Sequence, residues 1–359
     1  MKVALVGTGL IAHTHVQALQ SLGHQVVAVV NRSQEGGEAF ARQWNIPSCS
    51  TSFADALSDE VEVVHICTPP ALHYDMIKSS LLAGKHVVCE KPMCIEPERA
   101  KELTGLAQEK GLIGAVVFNV RFHEASQHAK GKLADPAFGR IRLIHGSYLQ
   151  EFHALPDYYS WRYQPELAGP MRALTEIGSH WLDLVRYWTG LEIESVSAQF
   201  AAFDSERKLR EGMMHRGGEG ELLKVASEDV AMLSLRFSNG AIGNVVLSEV
   251  SHGRSNRLQL EITGTQQSLW WNNEEPYQLQ LGEKFQGYQT LTFPFGDGFG
   301  QTFKACFAAI YADIEKGETS LDHPYASFED GYRNAAVCMA AYRSAAEDGK
   351  WMILMDDVD

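Results

Sequence analysis

Residues 2–12 have the sequence Lys2-Val3-Ala4-Leu5-Val6-Gly7-Thr8-Gly9-Leu10-Ile11-Ala12, and they decide the fold of the N-terminal part of the chain. The apolar run before Gly7 is typical of a buried parallel strand, and the G-x-G-x-x-A pattern lies where a helix should begin. Glycines at such a turn let the backbone approach a pyrophosphate, whose charge the helix N-terminus stabilises. The stretch therefore predicts a dinucleotide-binding loop. The alternative is a glycine turn retained for packing alone.

Beyond this loop, short β-branched runs alternate with helical segments as far as residue 120. We expect strands at residues 3–6, 26–30, 63–67, 87–89 and 115–118. We expect helices at residues 11–22, 36–44, 53–57, 71–83 and 97–110. Strands that are joined through helices form parallel sheets, so residues 1–120 are predicted to be a doubly wound Rossmann domain in an α/β protein.

The pattern changes after Arg121, where strands no longer alternate with helices. We expect helices at residues 125–133, 178–189, 300–315 and 328–348, and strands at residues 141–149, 230–237, 241–249, 258–263, 268–271 and 277–281. Asn239-Gly240 is a hairpin signal between two of these strands. Residues 121–359 are therefore predicted to be an α+β domain with a large, mainly antiparallel open sheet. The polar segment 205–220 is predicted to be a mobile loop.

Length and charge exclude several classes of protein. A chain of 359 residues is long enough for two domains. Its net charge of -14 opposes binding to nucleic acid or to anionic membranes. The six cysteines are scattered without a C-x-x-C pair, which favours reduced thiols. We expect a soluble cytoplasmic protein with neither nucleic acid nor a membrane as a partner.

The end of the second strand bears on the choice of nicotinamide cofactor. An acidic residue there would bind the 2'-hydroxyl of the adenosine ribose and repel a 2'-phosphate. The chain has Asn31-Arg32-Ser33 instead. Arg32 could pair with a phosphate or stack on adenine, so NADP is somewhat favoured over NAD. The alternative for Arg32 is an ordinary solvated side chain.

Two further segments should lie at the ligand edge of the sheet. Cys67-Thr68-Pro69-Pro70 ends the third long strand, and Glu90-Lys91-Pro92 ends the next. The carboxyl ends of parallel strands border the ligand crevice of a doubly wound sheet. We therefore expect Lys91 at this crevice, with Pro92 ending the strand's hydrogen bonding.

These segments resemble the glucose-fructose oxidoreductase and inositol dehydrogenase (Gfo/Idh/MocA) family. The matching parts are the glycine loop, residues 67–70 with His73, residues 84–92, and Asn119-Val120-Arg121-Phe122. In the second half, Glu176-Ile177-Gly178-Ser179-His180-Trp181-Leu182-Asp183 is similar to the family segment D-x-G-x-H-x-x-D. The resemblance thus covers nearly the whole chain.

Four shorter segments resemble one branch of sugar dehydrogenases in this family, which includes levoglucosan dehydrogenase-like enzymes. They are Gly146-Ser147-Tyr148-Leu149-Gln150, Trp161-Arg162, Asn239-Gly240-Ala241 and Gly253-Arg254-Ser255-Asn256-Arg257. The resemblance implies hydride transfer between NADP or NAD and a carbinol carbon of a sugar, anhydro-sugar or polyol. The implied cofactor contacts are Gly7, Thr8, Gly9, Leu10, Ile11, Asn31, Arg32, Cys67, Thr68, Pro69, His73, Glu90, Lys91 and Asn119.

The resemblance also implies that Lys91, His180 and Glu176 are catalytic. A neutral imidazole such as that of His180 can take the hydroxyl proton while hydride leaves, and the charge of Lys91 stabilises a developing alkoxide. Glu176 stands where the family has aspartate, which puts its role in doubt because of the extra methylene. Asp183 lies on the same helical face as His180 and would orient it; the alternative is a solvated or capping acid.

Residues 148–162 have the composition of a carbohydrate site. Gln150, Trp161 and Arg162, with Lys91, Glu176 and His180, are the predicted substrate contacts. Glu151 and His153 are further candidates for binding hydroxyls, and Tyr158 and Tyr159 for packing on apolar C–H faces. Arg162 and Arg172 hold either substrate or structure, and core packing is the alternative for each residue.

Metal binding is not expected, because His13, His15 and His123 show no recognisable pattern of metal ligands. Two rival functions are a regulator that senses dinucleotide without catalysis, and an oxidoreductase of a non-sugar substrate. The joint presence of Lys91 and His180 argues against the regulator. We expect a homodimer or homotetramer formed through the open sheet of the second domain.

Overall fold

The computed structural model describes residues 1–154, 160–203, 205–210, 213–215, 218–294 and 298–354. The chain forms two compact units, which we call unit 1 and unit 2. Unit 1 consists of Met1–Phe122 and Phe295–Ala335, and unit 2 of His123–Pro294 and Ala336–Asp359.

The structure contains the predicted elements in their order, with residues 53–57 as a short 3-10 helix, and adds strands that were not predicted, the longest of them at residues 193–201. The helices are α1 (Leu10–Ser21), α2 (Gln34–Trp44), α3 (His73–Leu82), α4 (Pro97–Lys110), α5 (Glu124–Ala134), α6 (Pro165–Ala168), α7 (Ser179–Thr189), α8 (Phe299–Lys316) and α9 (Phe328–Ala346). The strands are β1 (Lys2–Val6), β2 (Gln25–Val30), β3 (Ser48–Ser50), β4 (Val63–Ile66), β5 (His86–Cys89), β6 (Gly114–Val116), β7 (Leu143–Leu149), β8 (Ile193–Ala201), β9 (Glu206–Arg210), β10 (Met213–His215), β11 (Glu221–Lys224), β12 (Val230–Phe237), β13 (Ile242–Ser248), β14 (Arg257–Thr263), β15 (Gln267–Asn272), β16 (Gln278–Glu283), β17 (Gly287–Thr292), β18 (Ala326–Ser327) and β19 (Met352–Ile353). No helix in the described part of the chain is long and apolar enough to cross a membrane.

Unit 1 contains a doubly wound sheet with the strand order β18-β6-β5-β4-β1-β2-β3. All neighbours are parallel except β18, which runs antiparallel to β6. The register aligns Val6 of β1 with Ile66 of β4, and Ile66 with Cys89 of β5. The residues that follow these three strands therefore leave the sheet at one edge, which confirms the predicted Rossmann fold.

Helix α8 packs with unit 1 although it lies late in the sequence. Its Phe303, Phe307 and Ile310 are buried in one cluster with Val16 of α1 and Leu5 of β1. The predicted boundary near residue 120 did not include this return of the chain. The apolar stripe of α8 completes the core on one face of the parallel sheet. The sequence near residue 295 has no pattern that predicts the return of the chain to unit 1, because this return depends on tertiary packing.

Unit 2 contains a sheet with the strand order β17-β16-β15-β14-β7-β13-β12-β8-β19. Its neighbours are antiparallel except β7 and β13. Buried and exposed side chains alternate along β12, so one face of this part of the sheet is covered and the other is open. On the covered side, Trp181 of α7 donates from Nε1 to the Gln259 carbonyl of β14 at 3.0 Å. The predicted α+β domain with a mainly antiparallel sheet is confirmed.

The prediction of a mobile loop at 205–220 is wrong for the part that the structure describes. Strands β10 and β11 both pair antiparallel with β9 in a small sheet. The side chain of Arg207 is buried, and Leu209 packs against Tyr163 and Val225. Four of the residues 206–210 are charged, and this composition obscured a strand in which Arg207 is buried and Leu209 packs inward.

Candidate active site

The turn after β1 has the geometry of a pyrophosphate-binding loop. Gly7 has a φ of +93°, and a Cβ there would lie 2.8 Å from the carbonyl oxygen of Cys67, so only glycine fits. A Cβ on Gly9 would meet nothing within 4 Å. Helix α1 begins at Leu10 without a side-chain cap or an acidic residue in its first turn. Its first N–H groups are therefore suited to an anion, and the loop fits a dinucleotide.

The end of β2 presents no carboxylate to the ribose position. Asn31 donates from its backbone N–H to the Ser50 carbonyl at 3.0 Å, and from Nδ2 to the Ser33 carbonyl at 3.1 Å. The side chain of Arg32 is exposed beside it. Asn31 is thus held in the turn, and the exposed guanidinium of Arg32 is the charged group nearest to it in sequence.

His73 ties together the segments that follow β4 and β5. Its Nε2 lies 2.8 Å from the Thr68 carbonyl oxygen, and its Nδ1 lies 2.9 Å from the Pro92 carbonyl oxygen. Burial lowers the pKa of His73, and the contacts with the two backbone carbonyls oppose this shift. His73 is fully buried behind both segments, where its described contacts are with the protein backbone.

Lys91 is the second residue after β5 and is half-buried at the edge where the dinucleotide loop lies. Its backbone N–H donates to Oε2 of Glu90 at 3.3 Å. The other carboxylate oxygen of Glu90 lies 3.0 Å from Nε2 of His15 on α1. Asn119, another predicted cofactor contact, is buried and donates from Nδ2 to the Thr302 hydroxyl at 2.8 Å.

In unit 2, Glu176 lies in a π-helical turn, Leu174–Gly178, that runs directly into α7. Such turns are frequent at functional sites. Oε2 of Glu176 accepts a hydrogen bond from Nε of Arg162 at 2.5 Å. The guanidinium of Arg162 also lies 4.6 Å from the centre of the Trp161 ring. Three of the predicted substrate contacts therefore form one contiguous group.

His180 is the second residue of α7 and is half-buried. Its ring centre lies 6.4 Å from that of Tyr148. The Tyr148 hydroxyl and Nε2 of Gln150 both donate to Oδ1 of Asn256 at 2.6 Å. Asn256 thus connects the predicted contact Gln150 to the neighbourhood of His180. It lies in the segment 253–257 that we noted for its resemblance, but no role was predicted for it.

Asp183 is buried, which excludes the solvated alternative. Arg172 is buried as well, forms ion pairs with Asp229 and Glu249, and lies 4.7 Å from the centre of the Tyr163 ring. The structure therefore favours a structural role in unit 2 for Arg172 over a role in binding substrate.

His153 belongs to the same buried group, so its predicted role in binding substrate hydroxyls is contradicted. Its Nδ1 lies 2.6 Å from the Tyr163 hydroxyl. Burial, followed by the positive charge of Arg172, lowers the pKa of His153 to about 2. Tyr158 and Tyr159, the predicted aromatic contacts, lie outside the described residues.

Among the described residues, no group of three His, Cys, Asp or Glu side chains is arranged to hold a metal ion. Nδ1 of His13 accepts from Nε1 of Trp44 at 2.9 Å. The ring of His123 packs 5.4 Å from that of Trp271. Both histidines therefore contact tryptophan side chains of the protein itself.

Two family models match the chain. Residues 1–118 match the Gfo/Idh/MocA oxidoreductase family with its NAD-binding Rossmann fold. Residues 126–270 match the Gfo/Idh/MocA C-terminal domain.

Similar proteins cover the chain almost end to end. Levoglucosan dehydrogenase of Pseudarthrobacter phenanthrenivorans is 31% identical over 97% of each chain. A 1,5-anhydro-D-fructose reductase of Ensifer adhaerens is 27% identical over 95% of each chain. A solved structure of levoglucosan dehydrogenase with NADH and L-sorbose has a TM-score of 0.90 at 28% identity and covers 99% of each chain.

Proposed function

The chain belongs to the Gfo/Idh/MocA oxidoreductase family, and we propose that it is an NAD(P)-dependent dehydrogenase or reductase of CH–OH groups in a sugar, anhydro-sugar or polyol. The observation that carries this proposal is the grouping at one sheet edge of a glycine loop fitted to pyrophosphate and the half-buried Lys91. The names of the relatives support the substrate class, since they act on levoglucosan and 1,5-anhydro-D-fructose.

The chain's residues divide into those that bind the dinucleotide and those that serve the reacting group. Residues 7–11 receive the pyrophosphate on the backbone N–H groups at the start of α1. A nicotinamide bound there would supply the acceptor or the donor of the hydride. Lys91 supplies a positive charge that stabilises the developing alkoxide.

His180 takes the hydroxyl proton of the substrate as hydride leaves the carbinol carbon, and it returns that proton in the reverse direction. Its Nδ1 is buried, so we assign the contact with the substrate to Nε2. A neutral imidazole is suited to this proton transfer near neutral pH.

Glu176, Arg162, Trp161 and Gln150 are proposed to bind the sugar. The Arg162–Glu176 pair presents charged donors and acceptors to hydroxyl groups, and the Trp161 ring provides an apolar surface for C–H groups. Gln150 is oriented by Asn256, which accepts from its amide. The extra methylene of Glu176, compared with aspartate, is accommodated by the contact with Arg162.

NADP is proposed to bind at least as tightly as NAD. Support comes from Asn31 at the end of β2, where an acidic residue would repel a 2'-phosphate, and from the exposed guanidinium of Arg32. Arginine recognises phosphate through charge-assisted, often bidentate, hydrogen bonds.

A homodimer or homotetramer is proposed to form through the open face of the sheet in unit 2. Met232, Ile242 and Val246, on the neighbouring strands β12 and β13, are exposed apolar side chains. A second copy of the chain would cover them. Light scattering should give a mass of two or four chains, and Ile242→Glu should lower it; a monomeric wild-type chain would exclude this assembly.

A cytoplasmic location is also proposed. The six cysteines are thiols rather than halves of disulfide bonds, and five of them are buried. This usage suits a reducing compartment, where disulfides are rare.

The function is tested by a screen of the purified chain with NAD and NADP against free sugars, anhydro-sugars, amino-sugars and inositols. The absorbance of reduced nicotinamide reports turnover in either direction. We expect turnover with at least one sugar or polyol. Binding of NAD(H) or NADP(H) without turnover of any compound would instead support the non-catalytic regulator.

A further inference from the structure

A chain of four buried polar side chains runs through unit 1 from Glu90 to Tyr311. Oε1 of Glu90 lies 3.0 Å from Nε2 of His15, and Nδ1 of His15 lies 3.0 Å from Nδ1 of His65. Nε2 of His65 lies 2.9 Å from the Tyr311 hydroxyl. The two histidines are fully buried, and the chain links four separate parts of the sequence.

The surroundings of this chain are mostly apolar. The Phe307 ring of α8 lies 4.8 Å from the ring of His15 and 4.9 Å from that of His65, edge-on in both cases. The thiol of Cys67 lies 3.4 Å from Nδ1 of His15. Burial raises the pKa of Cys67, so this group remains a weak thiol donor. The polar atoms of the chain must therefore satisfy one another.

Donor and acceptor rules fix the direction of the first link. A carboxylate only accepts, so Nε2 of His15 donates to Glu90. A neutral His15 ring then accepts at Nδ1 from the Nδ1–H of His65, and His65 accepts in turn at Nε2 from the Tyr311 hydroxyl. With this assignment every proton points towards Glu90 and His15 is the Nε2–H tautomer, whereas a protonated His15 would reverse the links to His65 and Tyr311.

Two neighbouring members of this chain, His15 and Glu90, adjoin the proposed cofactor site. His15 lies on α1, three residues after the last residue of the dinucleotide loop. Glu90 uses its second oxygen to accept the backbone N–H of Lys91 at 3.3 Å. The hydrogen bonds therefore connect the helix that carries the pyrophosphate loop to the backbone from which Lys91 projects.

We propose that His15, fixed in one tautomer by His65 and Tyr311, is a positioning residue for hydride transfer because it anchors Glu90 and, through Glu90, the backbone at Lys91. This inference rests on the proposed function, in which Lys91 stabilises the reacting oxygen. A group that acts only through the position of Lys91 affects turnover more than it affects the binding of either substrate.

The test uses two pairs of variants in the full chain. His15→Leu removes the donor to Glu90, whereas His15→Gln retains an N–H near the position of Nε2. Tyr311→Phe removes the hydroxyl that fixes the tautomer of His65. Its matched control is Tyr325→Phe, which removes a buried hydroxyl in the same core that bonds to Asp313 instead.

We expect His15→Leu to lower kcat at least ~tenfold, equivalent to ~1.4 kcal/mol in the barrier, with the sugar KM and the NADH Kd changed less than ~threefold. His15→Gln should recover most of the lost kcat. Tyr311→Phe should lower kcat by ~two- to fivefold, again with the sugar KM and the NADH Kd changed less than ~threefold. Tyr325→Phe should turn over like the wild type. In addition, ¹⁵N spectra of histidine-labelled protein should show His15 as the Nε2–H tautomer and His65 as the Nδ1–H tautomer.

Equal kcat values for Tyr311→Phe and Tyr325→Phe, or the opposite tautomers, would overturn the inference and leave the proposed function standing. A kcat of His15→Gln as low as that of His15→Leu would also overturn the inference and leave the proposed function standing. A wild-type chain without turnover of any sugar or polyol overturns the proposed function, and the positioning role with it. If His15→Leu does not fold, Tyr311→Phe and the tautomer spectra still decide the question.

Discussion

Nε of Arg162 donates a hydrogen bond to Oε2 of Glu176 at 2.5 Å, while the same guanidinium lies over the ring of Trp161. Both charged side chains are largely buried, so solvent screens their interaction only in part. A π-helical turn before α7 presents Glu176 to this arginine. Glu176 is thus a carboxylate with a defined partner.

The first prediction concerns the charge and length of this carboxylate. Glu176→Asp should retain appreciable activity, within ~tenfold of wild type, because the charge is kept while the geometry changes slightly. Glu176→Gln should lose ~10²-fold in kcat/KM, because it leaves the guanidinium of Arg162 without its charge partner. Steady-state kinetics on the best substrate of the screen measure both.

Glu166→Gln, at an exposed position, is the matched control and should behave like the wild type. Complete inactivity of Glu176→Asp would mean that the site has been rebuilt around the longer side chain. Full activity of Glu176→Gln would remove the carboxylate from the proposed site.

The second prediction concerns the cofactor. A charged hydrogen bond contributes ~1.5 to 3 kcal/mol, so Arg32→Ala should weaken NADP binding ~10- to 100-fold and affect NAD much less. Fluorescence titration of both cofactors gives the dissociation constants. Arg42→Ala, which removes an exposed arginine of α2, should leave both unchanged. Strong preference of the wild type for NAD, or equal weakening of both cofactors by Arg32→Ala, would exclude a 2'-phosphate contact.

The third prediction concerns the pH dependence of stability. Burial lowers the pKa of His153 from the ordinary 6.5 to about 2 in the folded chain. A base with a depressed folded pKa stabilises the fold above its unfolded pKa, and this contribution is lost as pH falls below 6.5. The unfolding free energy of the wild type should therefore fall, relative to His153→Gln, by up to ~1.4 kcal/mol per pH unit.

Denaturant unfolding at several pH values between about 7.5 and 5 measures this difference in slope. Glutamine can still accept from the Tyr163 hydroxyl, so His153→Gln retains that contact. The exposed His252, changed to Gln, is the matched control and should leave the slope unaltered. Parallel pH curves for the wild type and His153→Gln would show that His153 has the same pKa in the folded and the unfolded chain, and would contradict the lowered pKa.

The sequence predicted what depends on local pattern and could not predict what depends on distant packing. The β-branched runs of β1, β4 and β5 identify these strands, and their parallel arrangement puts the residues after them at one edge, so the placement of Lys91 beside the loop could be predicted. Helix α8 was predicted as a helix, but its place beside α1 depends on a core that forms only in three dimensions.

The candidate site residues of unit 2 show the same difference between what local pattern predicts and what distant packing decides. His180 and Glu176 were found through a spaced motif, whereas Asn256 lies more than 100 residues from its partner Gln150. His153 was misassigned because a histidine beside polar and aromatic residues suits either a sugar site or a buried network. Only the contacts with Tyr163 and the neighbouring ion pairs distinguish the two.

The fourth prediction concerns the proposed catalytic pair. Lys91→Ala and His180→Ala should each fold and bind cofactor, yet lower kcat by at least ~10²-fold, as is typical when a positioned acid–base group is lost. Lys110→Ala and His252→Ala change exposed side chains of the same types and should keep wild-type rates. Stopped-flow or steady-state absorbance of reduced nicotinamide measures all four. Wild-type turnover in Lys91→Ala or His180→Ala would remove that residue from the mechanism.

One measurement tests the proposed hydride transfer most directly: deuterium is followed from a sugar carbon to the nicotinamide ring. The wild-type chain is incubated with oxidised NAD or NADP and carbon-deuterated sugars, anhydro-sugars or polyols, and the reduced cofactor is examined by mass spectrometry. We expect reduced cofactor that carries the deuterium, because hydride moves directly from the carbinol carbon. Reduced cofactor without deuterium, or none with any of these compounds, would contradict the proposed function.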